Sequence, residues 1–169
     1  ANPHAPASEE IRGAIRFDEV RFSYQPSEEV LRGLDLEIRA GEKIALLGVT
    51  GAGKTTALRL VNRTYDSLDG GVSIDGVDVR DWSLETLRRS VGVVLQEVFL
   101  FTGTVRENVG LGDPRIDDDR ILAAVSAVDA SDFVDRLGGL EGRISEGGSS
   151  LSAGERQLLA FARVMAYNP

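Results

Sequence analysis

The chain has 169 residues, 42% hydrophobic and 27% charged, the proportions of one globular domain large enough to bury a real core. Lysine and arginine number 19 against 27 aspartate and glutamate; the resulting net charge of −8 argues against nucleic acid as a general partner. With no cysteine and a single histidine, His4, disulfides, thiolate metal sites and a zinc ligand set are excluded.

In chain order, residues 1–13 open with ANPHAPASEE, polar and proline-bearing, with neither a basic start nor an apolar centre; they read as a linker rather than a signal peptide. No later run is long enough in apolar residues to cross a bilayer. Residues 14–24 and 30–41 alternate apolar and polar around PSEE, which predicts paired antiparallel strands. KIALLG, residues 43–48, is a nearly continuous apolar run and is expected as a strand buried on both faces of a parallel sheet. A helix from Lys54 to about Tyr65 follows, with Leu58, Leu60 and Val61 as its apolar positions. A hairpin around Asp75-Gly76 comes next. Ser83 and Thr86 open a short helix that leads into a second buried strand, VGVVL, at 91–95. Residues 117–130 and 131–137 have acidic or hydroxyl starts and read as helices. The final helix begins at LSAGE, where Ser152 and Glu155 fit a capping box, and Leu158, Phe161, Ala162 and Met165 are expected along its inner face. Strand, helix, strand implies α/β.

The strongest motif is GVTGAGKT, residues 48–55: Gly48, four residues, then Gly53-Lys54-Thr55, between an expected strand and an expected helix. Glycines let such a loop turn its backbone N–H groups inward, the helix N-terminus adds positive potential, and Lys54 brings a full charge to the terminal phosphates. The Thr55 hydroxyl is a candidate Mg²⁺ ligand. The pattern implies binding of ATP or GTP through Gly48, Thr50, Gly51, Ala52, Gly53, Lys54, Thr55 and Thr56.

Four further segments occur in an order that resembles the nucleotide-binding domain of an ABC transporter, over residues 14–169. VRFSY ends in Tyr24, the position at which this family stacks an aromatic ring on adenine; alone, the residue fits a core aromatic of a strand equally well. VGVVLQE ends in Gln96-Glu97, and Gln96 matches the family glutamine that approaches Mg²⁺ and the attacking water. VFLFTGTVREN, residues 98–108, resembles exporters in particular, with Val98, Phe99, Leu100 and Phe101 as a landing place for a coupling helix or as core. LSAGERQ resembles the family signature, commonly LSGGQ. It implies that the segment Ser152, Ala153, Gly154 and Glu155 faces ATP held by a second cassette, with Ser152 and Gly154 meeting its γ-phosphate. SEGGSS, residues 145–150, resembles the exporter loop beside the transmembrane region.

The resemblance therefore implies a phosphate-loop core with an N-terminal antiparallel β-subdomain and a helical subdomain over roughly 97–160. ATP and Mg²⁺ are the expected cofactors. A second nucleotide-binding domain, identical or different, and transmembrane coupling helices are the expected partners, at the cytoplasmic face of a cell membrane. Two departures stand out: Ala153 and Glu155 replace the usual Gly and Gln, and a carboxylate near a γ-phosphate is unfavourable unless a capping box turns it away. The family continues past such a helix with an apolar strand ending in Asp-Glu, a dimer loop and a switch histidine, none of which precedes Pro169. The resemblance thus implies part of a longer transporter, with a membrane-spanning part before residue 1 and the general base for hydrolysis outside these residues. Three functions compete: an ATPase motor, a dimerising ATP-binding module without turnover, and a nucleic-acid-associated ABC protein, which the acidity disfavours.

Overall fold

The computed structural model describes residues 11–169, so His4 and most of the expected linker lie outside the described residues. The described residues form two compact units, 11–91 and 92–169, each with its own apolar core.

In the first unit, β1 (Ile15–Gln25) and β2 (Glu28–Ile38) pair antiparallel across a two-residue turn, Pro26-Ser27. β3 (Asp69–Ile74) pairs with the other edge of β1, and β4 (Val77–Asp78) closes the order β2-β1-β3-β4. Alternation along β1 is interrupted at Glu19, whose φ of 44° marks a bulge, so the inward positions run Phe17, then Val20 and Phe22. The expected Asp75-Gly76 turn is present with both residues at positive φ, as a two-residue hairpin requires. The Asp75 carboxylate accepts hydrogen bonds from the backbone N–H groups of Arg12, Gly13 and Ala14. These bonds outweigh its desolvation and hold its pKa below the ordinary value.

α1 (Lys54–Val61) lays Ala57, Leu60 and Val61 against the sheet residues Phe17, Leu31 and Val72, while Leu58 faces outward. α1 ends earlier than expected: backbone bonds from Arg63 to Leu60 and from Thr64 to Arg59 tighten its last turn, with Arg63 at φ 52°. α2 (Leu84–Ser90) starts as read, the Ser83 side chain accepting from the Thr86 N–H.

Two expectations fail. Neither residues 43–48 nor residues 91–95 belong to a sheet; among the described residues the strands form only the four-stranded sheet and a short two-stranded one. A strand exists by its ladder, and no described segment pairs with either stretch to form one. Ile44, Leu46 and Leu47 are consequently exposed, Leu47 to 93%. The apolar pattern alone does not make a strand, because pairing is a property of neighbours, not of the segment.

The second unit is helical: α3 (Val105–Gly110), α4 (Asp118–Ala127), α5 (Ser131–Arg136) and α6 (Ala153–Tyr167), with a short ribbon of β5 (Gly103–Thr104) and β6 (Arg143–Ile144). α3 was not anticipated, although Thr104 and Glu107 carry a capping box of the same form as that of α6. α6 packs on α3 and α4 through Leu159, Ala162 and Ala166, the two alanines permitting close approach and Leu159 filling the core. Its inner face is thus turned from the expected one: Phe161 and Met165 are exposed and Leu158 only partly buried.

Candidate functional site

The loop of residues 48–53 leads into α1 at Gly53, the residue before the helix, which adopts φ 85°. Having no side chain, Gly53 provides no cap, so no side chain takes the first-turn N–H groups of α1. A Cβ at Gly53 would lie 2.7 Å from a Leu31 methyl; the close approach of loop to sheet demands glycine there. α2, α3, α4 and α6 all begin on a side-chain cap, whereas α1 begins on open backbone donors and a positive end. The Lys54 ammonium lies over this loop, donating to the carbonyls of Gly48 at 2.7 Å and Val49 at 2.8 Å. Thr50, Gly51, Ala52 and Thr55 are exposed around it. The arrangement gathers an uncapped helix N-terminus and one cation on a single glycine-rich loop.

The Thr56 side chain turns inward: the residue is 4% exposed and its hydroxyl is 3.1 Å from the Tyr24 phenol oxygen. Tyr24 itself, on β1, is 47% exposed, which fits a base platform better than a core aromatic. Its ring meets Phe22 edge-on at 4.9 Å and Tyr65 edge-on at 5.3 Å, and Arg59 donates to its hydroxyl at 3.4 Å. Sequence reasoning missed Arg59 and Tyr65. Arg59 lies one helical turn beyond Thr56 and was legible by spacing; Tyr65 was not, because its contact depends on how α1 returns to the sheet.

In the second unit, Gln96 and Glu97 form an exposed bend. The apolar run after it divides. Leu100 is fully buried in the helical core, whereas Phe99 and Phe101 are 64% and 51% exposed and stack edge to face at 5.0 Å. The Asn108 side chain, almost completely buried, accepts from the Phe101 N–H and donates to the Phe101 and Thr104 carbonyls. Arg163 of α6 donates to the carbonyls of Asn108 at 2.9 Å and Phe99 at 3.4 Å, and burial lowers its pKa. The aromatic pair is thereby tied to α6 through backbone and two side chains.

At the start of α6, the Ser152 hydroxyl accepts from the Glu155 N–H at 3.2 Å, and the Glu155 carboxylate accepts from the Ser152 N–H at 2.8 Å. Those bonds, assisted by an ion pair with Arg136, hold the Glu155 pKa below its ordinary value. The carboxylate is turned onto its own backbone, as the capping box requires, while Ser152, Ala153 and Gly154 are exposed. Arg136 had no signal in sequence, being 19 residues away. Among the described residues no cluster of three or more His, Cys, Asp or Glu could hold a metal, and no helix is long and apolar enough to cross a membrane.

A glycine-entered, uncapped helix with lysine at its first turn, beside an antiparallel sheet that carries a half-exposed tyrosine, defines a phosphate-loop nucleotide-binding protein. The family profile described as ABC transporter matches residues 31–169, and the chain belongs to that family, as part of its nucleotide-binding domain. It is 42% identical over 168 residues to the ABC transporter ATP-binding protein YknV of Bacillus subtilis (strain 168), covering 99% of this chain and 28% of the relative. Identity is 40% over 168 residues to the beta-(1→2)glucan export ATP-binding/permease protein NdvA of Rhodopseudomonas palustris (strain BisB18), again over 99% and 28%. A bacterial Atm1-family ABC exporter with ATP bound superposes with a TM-score of 0.90 at 38% identity, over 99% of this chain and 30% of that one. The chain spans less than a third of the length of each of these three proteins.

Proposed function

We propose that the chain is the ATP-binding cassette of a membrane exporter, in which a pair of cassettes binds and hydrolyses ATP to drive transport. The observation that carries this reading is the open, uncapped start of α1 at Gly53-Lys54-Thr55. There, the open first turn of α1, its helix polarity and the Lys54 charge are gathered at one loop. Names of relatives that include export ATP-binding/permease proteins support the exporter assignment. Location at the cytoplasmic face of a membrane follows from that assignment.

In this reading Gly48, Thr50, Gly51, Ala52, Gly53 and Lys54 enclose the phosphates, and Tyr24 offers a flat π-face to adenine. Mg²⁺ fits the Thr55 hydroxyl, a neutral oxygen suited to an ion that takes its remaining ligands from phosphate and water; the family resemblance is what adds the Gln96 side-chain oxygen to that ion. When bound, that ion neutralises charge developing on the transferred phosphoryl group. Ser152, Ala153 and Gly154 present a hydroxyl and backbone donors to the nucleotide of a partner cassette. Glu155, held in its capping box and paired with Arg136, adds little repulsion. Phe99 and Phe101 supply the apolar contact for a transmembrane coupling helix. Nucleic acid has no place in this scheme.

The test is Lys54→Ala, which abolishes most ATP affinity in a direct titration; unchanged affinity sinks the nucleotide reading. For the 169-residue chain alone, a second reading, binding without turnover, has its own support. Glu107 and Glu155 are engaged in capping boxes, and Glu97 stands exposed on the Gln96 bend. Phosphate release by this chain decides: turnover at a rate that Lys54→Ala abolishes contradicts binding alone.

A further inference from the structure

We propose that Thr56 is a positioning residue for the base platform: its buried hydroxyl holds the Tyr24 phenol and thereby fixes the ring against the phosphate cradle. The inference rests on Tyr24 being the platform for adenine. Thr56 lies two residues after Lys54, in the first turn of α1, where the loop motif by itself assigns a phosphate-side role. The structure instead turns its side chain into the unit, 4% exposed, with the hydroxyl 3.1 Å from the Tyr24 oxygen. A buried hydroxyl needs a partner, and valine would fill the same volume; threonine is required there only for the bond it makes.

The ring is held at both ends. Phe22 and Tyr65 meet it edge-on at interplanar angles of 87° and 85°, leaving its tip to be fixed separately. Thr56 fixes that tip, with Arg59 donating to the same oxygen at 3.4 Å. Tyr24 belongs to β1 and Thr56 to the cradle helix, so one hydrogen bond ties the base platform directly to the phosphate site. An exposed aromatic left free to rotate must be ordered when it stacks; a ring already fixed avoids that cost, so loss of the anchor weakens base-dependent binding by about three- to tenfold.

The experiment titrates the full chain with two probes, ATP and inorganic tripolyphosphate, in Thr56→Val, Thr56→Ser, Tyr24→Phe, Tyr24→Ala and the Thr56→Val/Tyr24→Phe pair. Thr56→Val is expected to lower ATP affinity about three- to tenfold with tripolyphosphate affinity unaltered, and Thr56→Ser to restore it. Tyr24→Phe should reproduce the loss, and the double variant should lose no more than either single one. Equal weakening of ATP and tripolyphosphate by Thr56→Val overturns the inference, because Thr56 then acts on the cradle; so do fully additive losses. A Tyr24→Ala chain that keeps the parental ratio of ATP to tripolyphosphate affinity overturns the platform reading itself, a result distinct from either.

Discussion

Replacing Gly53 by alanine tests the claim that loop and sheet are in contact at the entrance to α1. Gly53 has φ 85°, where an L-residue costs about 1–2 kcal/mol. The added Cβ would also stand 2.7 Å from Leu31 Cδ2 and 3.4 Å from both the Val30 carbonyl oxygen and Cγ1. Leu31 is itself buried, so its methyl has little room to yield, and overpacking adds about 1–3 kcal/mol. Gly51 is the control: φ is 86°, but nothing lies within 4 Å of its added Cβ, so Gly51→Ala carries only the conformational cost. Trp82 is the sole tryptophan and is buried in the same core, so its fluorescence reports unfolding of this unit. With a urea slope of about 2 kcal/mol/M, Gly53→Ala should unfold about 0.5–1.5 M earlier than Gly51→Ala. Coincident midpoints would refute the contact and leave only backbone conformation as the reason for glycine.

Three other outcomes follow from the helical unit. Glu107 and Glu155 both have pKa values depressed below 4.5, first by hydrogen bonds from the N-cap residue, so their stabilisation is complete above that value and is lost as pH falls through the lower folded values. The Glu107→Gln/Glu155→Gln variant should therefore show a smaller drop in helical urea midpoint between about pH 6 and about pH 4 than the parent; an equal drop rejects the assignment. Arg163→Met leaves the Asn108 and Phe99 carbonyls without their charged donor and should cost about 1.5–3 kcal/mol by far-ultraviolet circular dichroism in urea, whereas a surface role predicts no change. Leu100→Ala should cost about 2–5 kcal/mol and Phe99→Ala less than about 1 kcal/mol, an order that reverses if Phe99 rather than Leu100 is the core residue.

The elements legible in sequence were those whose signals are local. The Ser83 and Ser152 caps, the Asp75-Gly76 turn and the β1–β2 hairpin each depend on residues within a few positions, and each is present. Residues 43–48 and 91–95 show the other side: a buried parallel strand is defined by partners far away, and apolar character alone cannot provide them. On α6 the helix was readable but only part of its inner face was: Ala162 is buried as expected, whereas Leu159 and Ala166 take the places expected of Leu158 and Met165, a step of one position or about 100°. The cradle was legible because Gly53 and Lys54 act through backbone geometry and a fixed offset. The Thr56 hydroxyl was not: the same motif fits a side chain turned toward phosphate or toward Tyr24, and only the fold of β1 over α1 decides.

α6 is fastened at both extremities. Its first turn is tied to α5 by the ion pair of Glu155 with Arg136, and at its far end Arg120 donates to the carbonyls of Ala166 and Tyr167 while the Tyr167 hydroxyl donates to Gly110. A helix of 15 residues is a rod of about 22 Å, and a tilt of about 5° sweeps one end through about 2 Å when the other is the pivot. Hydrogen bonds do not survive such a stroke, so the element behaves as a lever with two clamps: a tilt about the Arg120 clasp must break the Arg136 ion pair or carry α5 along, and a tilt about Ser152 must break the Arg120 clasp or carry α3 and α4 along.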